Sequence, residues 1–269
     1  RPIILLMSNQ QNPAQKSIVF EQPLNERIRT FMRIEHLSTR CNYCLDQTTP
    51  WGSHLSLSAL IELINLISRG DLKQEILKEL SRQLNTLDGF VKTEKIDRGK
   101  LQDLIDTHEQ LISEMSAING QLLLSTKENE FIKAFSQRAS IPGGTCDFDL
   151  PAYHFWLAQD INSRQQALRE WVAPLELIQR SITTCLNLIR TSTTHEDCIA
   201  EQGFYQRTLD SGQPSQILRV AVDRELGCFP EISAGKHRFS IRFMNQHDLK
   251  LTPKQVQLNM KFELTCCTF

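Results

Sequence analysis

The sequence KHRFSIRF at 236–243 is the stretch that decides the class of fold. Apolar and polar side chains alternate along it, and this period of two is typical of a β-strand, in which successive side chains point to opposite faces. One face carries the apolar residues, which are predicted to face a core: Phe239, Ile241 and Phe243. The other face carries a polar ladder that contains no acid: Lys236, Arg238, Ser240 and Arg242.

This strand lies in a C-terminal region that is predicted to be rich in β-structure. From Gly203 onwards the hydrophobic period is two, and Gly, Pro, Asn and Asp residues separate three segments that are typical of strands. These segments are Ile217–Arg224, Arg238–Met244 and Val256–Thr265. Together they predict an antiparallel sheet of roughly three to five strands.

Roughly the first 140 residues are instead predicted to be helical, because their apolar residues recur every three or four positions. Asp71 and Gln74 have the spacing of a variant capping box at the start of one of these helices. A long helical run follows at Ser163–Arg190, and Pro174 should kink or split it because proline lacks a backbone donor. Between these regions, the aromatic-rich segment Asp147–Leu157 is predicted to be extended.

The predicted fold class is therefore α+β, with an N-terminal mostly helical domain and a C-terminal antiparallel β-strand domain. The helical domain is expected at 18–200 and the β-strand domain at 201–269. Residues 1–17 are expected to form a disordered extension, and Met7 is the expected native start.

Composition excludes several classes of protein. The chain has 269 residues, with 30 Lys and Arg against 31 Asp and Glu. This near-neutral balance excludes a generally basic nucleic-acid binder and an acidic disordered chain. No apolar run approaches the roughly 18 to 20 residues that a membrane-spanning helix needs. Eight scattered cysteines in a chain of this size predict free thiols and a reducing, cytoplasmic setting.

The neutral total conceals an uneven distribution of charge. From Gly203 to the C-terminus there are nine Lys and Arg against six Asp and Glu, a net charge of 9 − 6 = +3. Three cations on one strand face repel one another unless an anion lies beside them. Two interpretations remain open: an anion-binding surface, or a solvated face whose charges a neighbouring strand balances.

A second basic cluster is predicted on the first helix. Arg29 and Arg33 are four residues apart and therefore share one side of it, but Glu26 and Glu35 lie close enough to compete for them. If these clusters bind an anion, a carboxylate is favoured over a phosphate. No Gly-rich loop precedes a helix, and the Pro-Gly-Gly sequence at 142–144 matches no nucleotide-binding motif.

Residues that could carry catalysis or bind a metal are isolated in the sequence. Cys41 and Cys44 have the spacing of half a zinc site, but no second such pair completes it, so ordinary thiols near a helix end are expected. The acids at 147 and 149 more often make turns and caps than bind a metal. His154 lies in an apolar stretch, where a packed histidine is the commoner outcome.

No nucleophile elbow or His-Glu-x-x-His motif is present in the sequence. We therefore expect a protein that is not an enzyme and that has no metal and no cofactor. The alternative is an anion- or nucleotide-binding enzyme that uses the same basic ladder.

Five segments of the sequence are distinctive: IVFEQPLNERIRTFMRIE (Ile18–Glu35), SIPGGTCDFDLPAYHFWL (Ser140–Leu157), GFYQ (Gly203–Gln206), SAGKHRFSIRFM (Ser233–Met244) and FELTCC (Phe262–Cys267). In their order and spacing they resemble motifs of the ZapD family of bacterial cell division proteins. The resemblance covers nearly the whole chain from residue 18. The departures are the N-terminal extension, the Cys41 and Cys44 pair and the two residues after Cys267.

The resemblance implies a symmetric homodimer with a helical and a β-strand domain that binds the C-terminal tail of FtsZ and bundles its filaments in the Z-ring. It implies a basic pocket for that acidic and apolar tail, built from Arg238 and Arg242 with Lys236 and His237 beside them. Arg29, Arg33 and His154 are further implied contributors. The implied location is the cytoplasmic division site at midcell, with no nucleic-acid or membrane partner.

Overall fold

The computed structural model describes residues 16–91, 97–120, 122–210, 212, 214–235 and 237–269. Lys236, one of the predicted site residues, lies outside them. The chain divides into two compact units. The β unit contains the described residues of Arg1–Thr30 and Thr93–Lys100, together with Leu186–Phe269, and the helical unit contains those of Phe31–Lys92 and Leu101–Cys185.

The described part of the chain contains the following helices: α1 (Glu26–Leu45), α2 (Pro50–Ile67), α3 (Leu72–Phe90), α4 (Arg98–Ala117), α5 (Leu124–Glu128), α6 (Glu130–Ala139), α7 (Pro151–Leu157), α8 (Ile161–Val172) and α9 (Glu176–Thr191). It contains the following strands: β1 (Ser17–Pro23), β2 (Glu196–Ala200), β3 (Phe204–Thr208), β4 (Ile217–Asp223), β5 (Cys228–Ala234), β6 (Arg238–Asn245), β7 (Lys254–Gln255) and β8 (Met260–Cys267). The α+β class predicted from the sequence is confirmed.

The strands form two antiparallel sheets rather than the single sheet that the sequence predicts. Sheet A has the strand order β1-β4-β8-β2, and sheet B has the order β3-β6-β5, with the short β7 also paired to β6. The apolar faces of both sheets share one core within the β unit. Phe243 of sheet B lies against Phe262 of sheet A, with 5.1 Å between ring centroids, so β6 is held rigidly on its inner side.

Two strands lie where the sequence predicts the helical domain. β1 pairs with β4 along its whole length, from Ser17 opposite Asp223 to Pro23 opposite Ile217. β2 pairs with β8 near the C-terminus. Both are short edge strands, and their place in a sheet depends on partners far along the chain, which local periodicity does not reveal.

Local signals in the helical unit are largely confirmed. The Asp71 side chain accepts a hydrogen bond from the Gln74 backbone N–H at the start of α3. α8 ends at Val172, and a 3₁₀ turn containing Pro174 separates it from α9. α5 and α6 are separate helices, because Asn129 leaves the helical conformation between them and caps α6 through its side chain.

The extended segment predicted at 147–157 is wrong. Turns occupy its first residues, and α7 then begins at Pro151. Proline is tolerated in the first turn of a helix, because the backbone N–H that it lacks would have no partner within the helix there. The aromatic residues follow helical spacing, since Tyr153 is buried and lies 6.0 Å from the ring of Trp156. Their packing within the helical unit, rather than any strand partner, determines the conformation.

A buried arginine fixes the connection between α7 and α8. Arg164 is 5% exposed, and its guanidinium donates to the carbonyls of Thr48, Leu157 and Gln159 and to the Ser53 hydroxyl. These bonds tie the turn before α2 to the end of α7. The position of α7 within the helical unit is therefore defined by several hydrogen bonds.

Candidate functional site

The predicted alternation along β6 is confirmed. Phe239, Ile241 and Phe243 are at most 1% exposed and belong to the shared core, while Arg238 and Arg242 are exposed on the opposite face. Four residues of extended chain separate the two arginine Cα atoms by about 13 Å. A rigid strand thus holds the Cα atoms of the two arginines at a fixed spacing, and both side chains point outward.

The neighbouring strands complete this surface, because residues that are paired across a sheet lie on the same face. Arg238 is paired with Thr208 of β3, and Ser240 is flanked by Gln206 of β3 and Ser233 of β5. Arg242 lies between Phe204 of β3 and Glu231 of β5. We call these eight residues the outer face of sheet B: Phe204, Gln206, Thr208, Glu231, Ser233, Arg238, Ser240 and Arg242.

Within the described part of the chain, neither Arg238 nor Arg242 forms an ion pair. Other arginines of the β unit do. Arg207 pairs with Glu196, and Glu21 holds both Arg190 and Arg219. The two guanidinium groups of β6 are therefore available to an external anion.

The Glu21 cluster lies on the other sheet and has a structural role. Arg190 reaches both carboxylate oxygens of Glu21, with an Nη2–Oε2 distance of 2.8 Å, and Arg219 Nε lies 2.9 Å from Oε1. All three side chains are less than a third exposed and their charges are paired with one another, so they are not offered to a ligand.

The basic cluster on α1 is partly neutralised. Arg29 Nε lies 3.1 Å from the Glu26 carboxylate, so Glu26, one of the two competing acids identified in the sequence, forms an ion pair with this arginine. Arg33 is exposed on the same helix. The role of both residues in binding stays a prediction, and Arg33 is the more accessible of the two.

His154 and His237 are both exposed, and His237 directly precedes β6. The packed position expected for His154 is wrong. Its neighbour Tyr153 takes that position, because the helical spacing of α7 turns Tyr153 inward and His154 outward. A role for either histidine in binding stays a prediction.

Tyr153 of α7 forms a hydrogen bond with His54 of α2 inside the helical unit. The Tyr153 hydroxyl lies 2.6 Å from His54 Nδ1, and burial raises the pKa of the phenol. The phenol therefore keeps its proton, and the tautomer of the imidazole decides which of the two groups donates the hydrogen bond. Burial also lowers the pKa of His54, which keeps that imidazole neutral.

We expect the free energy of unfolding to fall as the pH is lowered from about 7 towards 5, because the unfolded chain binds a proton at His54 near its ordinary pKa of about 6.5 before the folded chain does. His54→Gln removes this titration, so its stability should depend less steeply on pH. Urea unfolding of both proteins across this range measures the two slopes. Parallel curves would contradict the assignment.

The residues that could bind a metal carry little evidence for one. Cys41 and Cys44 are buried near the end of α1, and burial raises the pKa of the Cys41 thiol, as expected of ordinary structural thiols. Elsewhere, ligand atoms of His195, Asp197 and Glu263 lie within 4.8 Å of one another, but all three residues are exposed. All eight cysteines are free thiols, as the sequence predicts.

The acids at 147 and 149 belong to the turns before α7. Asp147 Oδ1 accepts a hydrogen bond from the backbone N–H of Phe148, and Asp149 lies 3.8 Å from the Arg138 guanidinium. Both acids lie in turns, as expected from the sequence.

Sequence reasoning missed five residues of the outer face of sheet B, which are Phe204, Gln206, Thr208, Glu231 and Ser233. Phe204 and Glu231 flank Arg242, but they come from strands β3 and β5 that the sequence did not predict. The GFYQ motif at 203–206 was the sequence signal that could have identified Phe204. For Glu231, only the strand register brings it opposite an arginine eleven positions later in the chain.

Comparison with known proteins assigns the chain to a family. The model of the family described as "ZapD: Cell division protein" matches residues 32–242, which is more than half of the chain. The chain belongs to the ZapD family. The resemblance noted in the sequence is thereby confirmed, and the matched range ends at Arg242 of β6.

Curated relatives agree over almost the full length. The chain is 36% identical over 252 residues to the cell division protein ZapD of Chromobacterium violaceum, covering 94% of this chain and 100% of that protein. It is 37% identical over 250 residues to ZapD of Methylococcus capsulatus, covering 93% and 98%. It is 38% identical over 253 residues to ZapD of Ralstonia pickettii, covering 94% and 100%.

Family membership makes this chain a cell division protein, and these relatives are named as division proteins rather than as enzymes.

No helix in the described ranges combines the length and apolar character needed to cross a bilayer.

Proposed function

We propose that this ZapD-family protein binds the C-terminal tail of FtsZ with the outer face of sheet B and, as a homodimer, cross-links and bundles FtsZ filaments. It acts without catalysis, in the cytoplasm at the midcell division site. The observation that carries the proposal is the pair of outward side chains of Arg238 and Arg242, with which no described acid forms an ion pair.

The chemistry of this face suits a peptide that has both carboxylates and apolar side chains. Guanidinium groups donate two parallel hydrogen bonds to a carboxylate, which fixes its orientation. Phe204, 39% exposed beside Arg242, offers apolar surface next to that charge. An extended peptide places carboxylates four residues apart about 13 Å from one another, which matches the spacing of the two arginines.

Each contact on such an exposed face is weak, and salt weakens it further. Binding to a filament gains strength from valence, because a dimer carries two faces and a polymer presents many tails at high local concentration. A two-fold symmetric dimer also holds two filaments at once. Bundling follows from two-fold symmetry and multivalent attachment.

The test uses a fluorescein-labelled synthetic peptide of the FtsZ C-terminal tail and full-length FtsZ polymers. We expect the peptide to bind the full chain at low salt and to be released at high salt. A peptide with its acids replaced by the corresponding amides is the control and should bind much more weakly at low salt.

FtsZ that lacks this tail should polymerise normally but no longer co-sediment with the protein, because the carboxylates that accept hydrogen bonds from the two arginines in the proposed contact are gone. Sedimentation of both forms of FtsZ, with and without the protein, measures this. Bundling of tail-less filaments would place the contact elsewhere on the two proteins.

A further inference from the structure

The outer face of sheet B is not uniform, because a single acid lies among its eight residues. Glu231 of β5 is exposed and is paired directly with Arg242 of β6. Across an antiparallel pair, Cβ atoms of opposed residues lie about 4.5 to 5.5 Å apart. The Glu231 carboxylate is therefore within reach of the guanidinium that the proposed function assigns to an external carboxylate.

The two sides of β6 consequently differ in charge. On the β3 side, Phe204, Gln206 and Thr208 are uncharged, and they offer an aromatic ring and hydrogen-bonding groups. On the β5 side, Glu231 and Ser233 lie next to Arg242 and Ser240. A carboxylate that approaches Arg242 from the β5 side meets Glu231, whereas one that approaches from the β3 side meets Phe204.

Glu231 makes no ion pair with Arg242 in the structure, although both residues are described. Exposed pairs of this kind add little to folding even when they form, so a contribution to stability does not account for this acid. Its effect on an incoming anion is direct, because like charges close together repel and an acid beside Arg242 reduces the positive potential there.

We infer that Glu231 is a specificity-determining residue of this face. It weakens the binding of acidic ligands by Arg242, and it directs an acidic, partly apolar peptide to the β3 side, against Phe204. The inference rests on the proposed function, since it concerns the same face and the same class of ligand. It adds which side the peptide occupies and which residue limits its affinity.

Glu231→Gln tests the first part, because it removes the charge and keeps the shape. The labelled FtsZ tail peptide should bind this variant about two- to fivefold more tightly than the unsubstituted protein at low salt, the range that exposed charge pairs produce. The gain should shrink at high salt. The amide-substituted control peptide should show no gain.

Two further variants distinguish the effect of a charge next to Arg242 from the effect of net charge. Glu225→Gln removes an equally exposed acid from the same unit and should leave peptide affinity nearly unchanged. Combining Glu231→Gln with Arg242→Ala should abolish the gain, since Glu231 acts through its proximity to Arg242. An equal gain from Glu225→Gln, or a gain that persists without Arg242, would show that only net charge matters and would overturn the inference.

The side of β6 that the peptide uses is tested by Phe204→Ala and Ser233→Ala, each truncating one flank. Phe204→Ala should weaken peptide binding severalfold, and Ser233→Ala should leave it unchanged. The reverse result would place the peptide on the β5 side. If the unsubstituted protein binds no peptide, the proposed function fails and takes this inference with it; if it binds and Glu231→Gln behaves like Glu225→Gln, the inference alone fails.

Discussion

Replacing Arg238 and Arg242 together with glutamate should abolish co-sedimentation with FtsZ polymers and leave the melting temperature nearly unchanged. Both side chains are exposed and form no ion pair within the described part of the chain, so the fold loses little when they change. Binding loses both cationic contacts and acquires repulsion against an acidic tail. Each single reversal should also abolish co-sedimentation.

The matched control for each single reversal is Arg224→Glu, which makes the same change of charge at an exposed position of the β unit that is not part of the outer face of sheet B. It should co-sediment like the unsubstituted protein. Analytical ultracentrifugation of all variants checks that assembly is unaltered. If the double variant still bundles filaments, β6 is not the binding surface.

Gly203→Ala should cause a large loss of stability, about 3 kcal/mol or more, because two costs add at this position. Gly203 has a φ of +74°, a conformation that side chains other than glycine rarely adopt. In addition, a Cβ atom there would lie 2.3 Å from the carbonyl oxygen of Val256. The backbone cannot move away easily, because Gly203 O accepts a hydrogen bond from Phe243 N in the core of sheet B.

Gly227→Ala is the control, because it carries the conformational cost without the steric one. Gly227 also has a positive φ, of +58°, but a Cβ atom there would meet nothing within 4 Å. Its substitution should cost about 1 to 2 kcal/mol, the conformational penalty alone. Urea unfolding of the three proteins measures the difference, and equal losses at the two glycines would show that the close approach to Val256 is relieved by a backbone shift.

The elements that the sequence predicts well are those whose causes are local. Alternation along β6, the cap at Asp71 and the break at Pro174 each depend on residues within a few positions of one another, and all three are confirmed. The segment at 147–157 fails for the opposite reason. Its aromatic residues suit a strand or a helix equally well, and packing within the helical unit selects the helix.

The sequence alone determined the fold class, the family and the two arginines that point away from the core, because periodicity and long motifs carry that information within single segments. Tertiary structure alone decided the neighbours of those arginines. Register across β3, β6 and β5 places an aromatic ring on one side of Arg242 and an acid on the other. Cross-strand pairing joins residues that no local pattern connects, and a shift of one residue would turn either side chain to the opposite face.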